Sequence, residues 1–353
     1  MDVVLSVVVP VYGVEDYLHQ CLDSIRAGLT AAENELVEVI AVNDASPDLS
    51  GALLDEYAET HDGLRVVHLR HNVGLGLARN AGLAEATGEY VWFVDSDDWL
   101  PAGSVRAVLD AVRHDRPDVL LVDHLRVHED GRVAVDASSH LLAGPPTIER
   151  LIGVQHTAWN RVVNRAFLQR NELWFRPGWY EDIPFSNPIL LAAERIAVLN
   201  RVCYHYRIGR PGAITSTRSD RHFEAFYQYD RLHDWVLARR VDPALRIKLF
   251  TLMINHLLVV AGNDGRMHSS RRRPFFRQLA ELYDRHVPAG YVPPSGTKGL
   301  KHRLVAANSY PAYAMLRAAY RAAGRRRRNP ERTPSVFPEP TSAPRPAQTA
   351  SLR

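Results

Sequence analysis

Three carboxylates crowd positions 95–98 in the stretch GEYVWFVDSDDWLP (88–101), directly behind the apolar run Tyr90 to Val94. Asp95 and Asp97, two positions apart on a turn, can both reach one hard cation. Two carboxylates do not complete the shell of Mg²⁺, which is commonly held by one or two of them, with waters and substrate phosphates in the remaining places. The pattern therefore predicts a metal–diphosphate site. Asp98 is the member best suited to capping the turn or helix that follows. Asp44, in VIAVNDASPD (39–48), ends a second apolar run. There its carboxylate can accept a hydrogen bond from the N3–H of uracil or thymine, or from a guanine edge; the competing use is an Asx-turn opening the next loop. Gly74 and Gly76 in HNVGLGLARNAG (71–82) suit a backbone that comes close to a nucleotide, and Arg79 behind them can neutralise diphosphate charge.

These groups need elements that bring them together. Through residue 125, apolar runs (VVLSVVVPVY, LVEVIAVND, LRVVHLR, YVWFV, DVLLVD) alternate with amphipathic helical patterns such as EDYLHQCLDSI and GALLDEYAETH. Continuous apolar strands alternating with helices mean a parallel sheet covered on both faces. Ligands of such sheets bind beyond the carboxyl ends of the strands. The first, second and fourth strands end in PVYG, NDASPD and DSDD, so the acids are expected at the mouth of a site. A dinucleotide fold is excluded, because its glycine fingerprint belongs after the first strand, where only Gly13 stands. Farther along, LRVHEDGRVAVD predicts a hairpin turning at Asp130-Gly131. Residues 219–290 read as helical, HVPAGYVPPSGTKG as a linker, and a helical pattern broken at Pro311 covers 299–323. Residues 329–353, rich in Pro, Ser and Thr, are expected to be disordered.

With 353 residues, 46% hydrophobic and 24% charged, the chain reads as a globular protein of two or three domains. Cys21 and Cys203 lack the spacing of a metal site and cannot build a disulfide framework, which fits a reducing cytoplasm. No signal peptide is recognised, and LFTLMINHLLVVAG (249–262) falls short of the roughly 20 residues a bilayer demands. Charge is uneven: residues 296–328 hold nine basic groups and no acid, against 31 basic and 38 acidic groups in 1–295. An acidic body argues against nucleic acid as a partner. The basic stretch KGLKHRLVAANSYPAYAMLRAAYRAAGRRRR interleaves tyrosines with cations. It suits peripheral contact with anionic lipid at the inner face of the plasma membrane, or a helix packed on the body with a solvated basic end.

Taken in order, SVVVPVYGVEDYLHQCLDSI, EVIAVNDASPD, NVGLGLARNAGLAEATGEYVWFVDSDD and WYEDIPFS resemble the motifs of family 2 glycosyltransferases over residues 4–217. The resemblance implies the GT-A fold of nucleotide-diphospho-sugar transferases: α/β, doubly wound, with a mixed but mainly parallel sheet, here followed by a C-terminal helical extension. It divides the chain into a nucleotide-sugar-binding half (1–125) and an acceptor-binding half (126–217) of one domain. A helical extension (218–290), a linker with a basic amphipathic helix (291–328) and the tail (329–353) follow. By the same resemblance DSD (95–97) matches the family's DxD motif, Asp97 holding a divalent metal (Mg²⁺ or Mn²⁺) and Asp95 contacting metal or ribose. Asp44 matches the base-reading acid, Pro10 and Tyr12 the nucleotide side of the first strand, and Arg79 the arginine of ARNxG. Glu181-Asp182 matches the acidic pair that contains the catalytic base, with Asp182 the expected base and Glu181 the next candidate; its competing use is a cap before IPFSNPILLAAERI. AWNRVVNRAFL and YHYRIGRPGAITST are also similar to family segments, which makes Trp159 and His205 donor or acceptor contacts unless they are core. Arg161 stands where the family often carries Lys.

The implied reaction is inverting, metal-dependent transfer of a sugar from a UDP- or dTDP-sugar to an acceptor hydroxyl. The acceptor is a glycan, polyol-phosphate polymer or lipid-linked molecule. The chain is also similar to domains that actinobacteria carry beside glycerophosphate polymerases of teichoic-acid assembly, which favours a cell-envelope acceptor. The competing readings are a nucleotidyltransferase and a non-catalytic GT-A-like nucleotide-binding module.

Overall fold

The computed structural model describes residues 2–210, 212–327 and 348–351. They form two units, one spanning residues 1–213 with 345–353, the other 214–344. In the first, the alternating strands and helices build one sheet. Its strands are β1 (Leu5–Val11), β2 (Val37–Asn43), β3 (Leu64–His68), β4 (Tyr90–Phe93), β5 (Val119–His128), β6 (Val133–Val135), β7 (Arg161–Asn164), β8 (Arg195–Ile208) and β9 (Gln348–Ser351). The order across it is β3-β2-β1-β4-β7-β5-β8-β9, with β6 on β5. β1 lies between β2 and β4, parallel to both, with Leu5 level with Val37 and Tyr90. All seven β1 residues are buried, as the unbroken valine run requires of a strand covered on both faces.

β7 runs against both its neighbours, β4 and β5, while β5 and β8 are parallel. The sheet is therefore mixed but mainly parallel. Register slips twice along β5 and β8, between Val122 and His124, and such bulges re-aim the residues that follow. The hairpin expected at Asp130-Gly131 joins β5 to β6, with Gly131 at φ +80°. Of the tail expected to be disordered, Gln348–Ser351 forms the edge strand β9 on β8 instead; residues 328–347 lie outside the described residues.

The second unit is helical, with long helices at Glu224–Ala238, Pro243–Gly262, Arg272–His286, Gly296–Ala306 and Tyr310–Arg327. The apolar stretch at 249–262 proves to be the C-terminal part of a 20-residue helix, long and apolar enough by length and composition to cross a bilayer. The length argument against it thus fails. In this unit, however, Leu249, Phe250, Met253, Ile254 and Leu257 of that helix are core residues. The break in the last helical pattern falls at Asn308 (φ +46°), not at Pro311. Pro311 sits in the first turn of the next helix, where its missing N–H has no helical partner to lose.

Candidate active site

The carboxyl ends of β1, β2 and β4 lie side by side, so Tyr12, Asp44 and Asp95 open onto the same edge. Pro10 is buried in β1, whereas Tyr12, just past it, is half exposed. Asp44 is buried, and its two oxygens accept the Val73 and Gly74 N–H groups at 2.7 and 2.9 Å. Its carboxylate therefore anchors the loop leading into the helix Leu75–Glu85, rather than an Asx-turn of its own segment. Gly74 enters that helix at φ +89°, a backbone region that favours glycine.

Gly76 serves a different purpose from the one expected. A Cβ there would lie 2.8 Å from both the Arg176 carbonyl oxygen and Glu181 Cγ. The close approach it allows is to the chain's own 176–181 segment. That segment delivers the acidic pair. Tyr180, immediately before it, adopts φ +64°, a left-handed conformation that costs a non-glycine residue about 1–3 kcal/mol and tends to be kept where function needs it.

Arg79 links the two acidic motifs. Its Nη1 donates to Glu181 Oε1 at 2.7 Å and its Nη2 to Asp95 Oδ1 at 2.6 Å. The guanidinium is buried and packs 5.2 Å from the Phe175 ring centre. It is neither a solvated helix arginine nor open toward a diphosphate: it holds acids from segments far apart in sequence at one point. Asp182 follows Glu181 at the N-terminus of the helix Ile183–Ala192, yet makes no capping hydrogen bond. The capping alternative is thereby removed. Burial first, and then the neighbouring Glu181, push the Asp182 carboxyl up to about 8. Glu181 is raised too, by burial, against the pull of Arg79.

The DSDD turn is fastened from β8. Tyr204 Oη accepts the Asp95 N–H at 3.1 Å and donates to Asp98 Oδ2 at 2.7 Å, while the Arg207 N–H donates to Asp98 Oδ1 at 2.7 Å. Asp98 is buried and fully engaged, so it ties the turn to β8 rather than capping a helix. Burial and the charges of Asp97 and Asp95 hold its carboxyl well above the usual range. Arg210 Nε donates to Asp97 Oδ2 at 2.6 Å, and Arg207 Nε to the Asp97 carbonyl at 2.8 Å. The Arg207 cation lies over Tyr17 and Trp99.

Trp159 and His205 both pack against other aromatic rings. Trp159 is buried, stacks on Tyr204 at 4.4 Å and 9°, and accepts the Trp92 Nε1–H on its carbonyl at 2.7 Å. It also stacks on Tyr206 and meets the His124 ring edge-on. His205 bridges to Trp99 through the backbone, with the rings 5.1 Å apart. Its Nδ1 is buried without a hydrogen-bond partner, and burial lowers its pKa. Arg161 is completely buried, donating to Asn160 Oδ1 and to the Ser186 and Gln155 carbonyls, so it has no free face for a phosphate. Burial lowers its pKa to about 9, with Asp182 opposing the shift. Reasoning from sequence missed Arg207, Arg210 and Tyr204. The signal available for them was their place in YHYRIGRPGAITST.

The model of "Glycosyl transferase family 2" matches residues 6–173. This stretch is similar to family 2 glycosyltransferases. The chain is 29% identical over 238 residues to the uncharacterized glycosyltransferase EpsJ of Bacillus subtilis, covering 64% of this chain and 67% of that protein. It is 30% identical over 210 residues to the poly(ribitol-phosphate) β-N-acetylglucosaminyltransferase TarS of Staphylococcus aureus, covering 59% and 36%. Among solved structures, S. aureus TarS 1–349 in complex with UDP-GlcNAc superposes with a TM-score of 0.75 at 23% identity, over 91% of this chain and 92% of that one. The fold is GT-A and the activity class is glycosyl transfer. These relatives come from Bacillus and Staphylococcus, not from the actinobacteria to which the sequence comparison leaned.

Proposed function

We propose that the chain transfers a sugar, with inversion, from a UDP-sugar to a hydroxyl of a polyol-phosphate polymer of the cell envelope. The observation that carries this reading is the Arg79 bridge, which gathers Asp95 and Glu181-Asp182 at one point. Asp182 is the general base. It takes the proton of the acceptor hydroxyl as that oxygen bonds to the anomeric carbon, and the bond from this carbon to the diphosphate oxygen breaks. The nucleoside diphosphate leaves with the electron pair, and the proton on Asp182 passes to solvent. Asp44 and Tyr12 bind the nucleotide, with Pro10 shaping the strand end beneath them.

Asp95 and Asp97 are the residues to hold a divalent cation, Mg²⁺ or Mn²⁺. Among the described residues no three His, Cys, Asp or Glu side chains cluster as a metal site. Two carboxylates alone would leave most of a hard ion's shell to a diphosphate and water. Both side chains keep about a fifth of their surface exposed, and each arginine takes only one oxygen of its carboxylate. Such a cation, when bound, supplies positive charge against the departing diphosphate.

The donor class follows TarS, solved with UDP-GlcNAc, and the acceptor class follows its name. Asp182→Asn is the test. Turnover, read as nucleoside diphosphate release, should fall by about 10²–10⁴, the usual worth of general-base help, with UDP affinity unchanged. Near-normal turnover would move the base elsewhere, and pyrophosphate as the product would replace glycosyl transfer by nucleotidyl transfer.

A further inference from the structure

The helical unit contains a cavity of about 690 Å³ that the reaction described above does not use. Its walls come from the helices Pro243–Gly262, Gly296–Ala306 and Tyr310–Arg327. On the last of these, Tyr313, Leu316, Arg317, Tyr320 and Arg321 all line the cavity. Their spacing places them on one helical face. Opposite them stand Lys298 and Lys301.

Charge in this cavity is one-sided. Asp264, at its edge, is shared by Arg272, Arg317 and Arg321. No acid is among the lining residues, and neither lysine has an ion pair among the described residues. Lys301 Nζ instead lies 5.5 Å over the Tyr320 ring. The floor is apolar and aromatic: Tyr313 and Leu258 are buried, and Tyr320 is half exposed. Closely spaced cations short of counter-charge attract an anion, and aromatic walls pack against the C–H faces of a polyol.

We infer that this cavity binds a phosphodiester-linked polyol chain, its phosphates on Lys298, Lys301 and Arg321 and its polyol carbons against Tyr313 and Tyr320, as a holding site for the acceptor polymer. The inference rests on the acceptor class proposed above. A flat anionic bilayer is the alternative occupant that the test must separate, since Met315 on the same helix is 74% exposed and does not line the cavity. Of the cations, Lys301 is half-buried, while Lys298 and Arg321 reach the surface at the cavity mouth.

The probe is a fluorescently labelled oligo(glycerol phosphate), titrated by anisotropy against the full chain at low salt. The wild type should bind it, and Lys298→Glu/Lys301→Glu should weaken binding by about tenfold or more, with UDP affinity and thermal midpoint unchanged. Lys298→Arg/Lys301→Arg should bind like the wild type, which separates lost charge from lost fold. Equal affinity of wild type and charge-reversed variant overturns the inference. So does wild-type binding to phosphatidylglycerol vesicles without binding to the oligomer. Nucleotide-sugar turnover in the same preparation reports on the active-site reading alone, so failure of one reading is distinguishable from failure of the other.

Discussion

Replacing Arg79 with Met keeps most of the side chain's volume and removes its charge. Two ion pairs are lost, at 2.6 and 2.7 Å, and both Glu181 and Arg79 are buried. Removing one partner of a buried pair typically costs about 3–5 kcal/mol, because the charge left behind has no compensation. That charge has an escape: Glu181 can take a proton. Its carboxyl is already raised by burial, and Arg79 is the largest influence holding it down. The folded variant should therefore bind about one more proton than the folded wild type over the pH range in which Glu181 is newly protonated. The unfolded chains bind equally, so stability of the variant falls by about 1.4 kcal/mol more per pH unit as pH rises. Urea unfolding of both proteins near pH 5.5 and 7.5 tests this, followed by tryptophan fluorescence. Five of the six tryptophans, all but Trp235, lie in the first unit, so the signal reports on the right one. The deficit should widen as pH rises between the two conditions, by at most about 1.4 kcal/mol per unit. A deficit that is pH-independent, or below about 1 kcal/mol, would refute the claim that Arg79 serves mainly to compensate buried acids.

Asp182 must be ionised to act as a base, and its carboxyl is pushed up to about 8, so kcat/KM should rise with pH through that value; a flat profile there assigns the base to another group. Arg210→Ala frees Asp97 from a 2.6 Å ion pair between partly exposed side chains. Such pairs are worth about 0.2–1 kcal/mol, so Mn²⁺ should bind up to about fivefold tighter without nucleotide, as read by electron paramagnetic resonance; weaker binding would contradict the competition. Trp159→Ala should cost about 3–5 kcal/mol as a core truncation, measured by urea unfolding. A variant that kept full stability but lost donor affinity would restore Trp159 as a ligand contact.

Much of residues 1–125 was legible because the acids and the strands that carry them share one stretch of sequence. A valine run ending in Asp44, or Tyr90 to Val94 ending in Asp95, announces both the element and the edge where it stops. Residues 126–217 were not legible in this way. β7 is only four residues long and carries the buried Arg161, and β8 is interrupted by Asn200 and Arg201 at the register slips, so neither gives a clean period. Trp159 could not be assigned from sequence, because a tryptophan against Tyr204 and one against a sugar have the same local pattern. Gly76 misled for a related reason: glycine reports that something comes close, and only the fold says that Glu181 is what comes. Arg207 and Arg210 face the DSDD turn only because β8 carries them there.

The reversed direction of β7 has a consequence for how such a protein can diversify. The chain leaves β5 at the edge where Asp95 emerges, and it re-enters the sheet through β7 from that same edge. The whole excursion 129–160 thus starts and finishes at the edge that carries Asp95, with no strand crossing to make. Its exposed part, the hairpin turn at Asp130-Gly131 and the loop beyond β6, can change in length without shifting a hydrogen bond among β1, β2 and β4, whereas buried residues such as Trp159 hold its far end in the core.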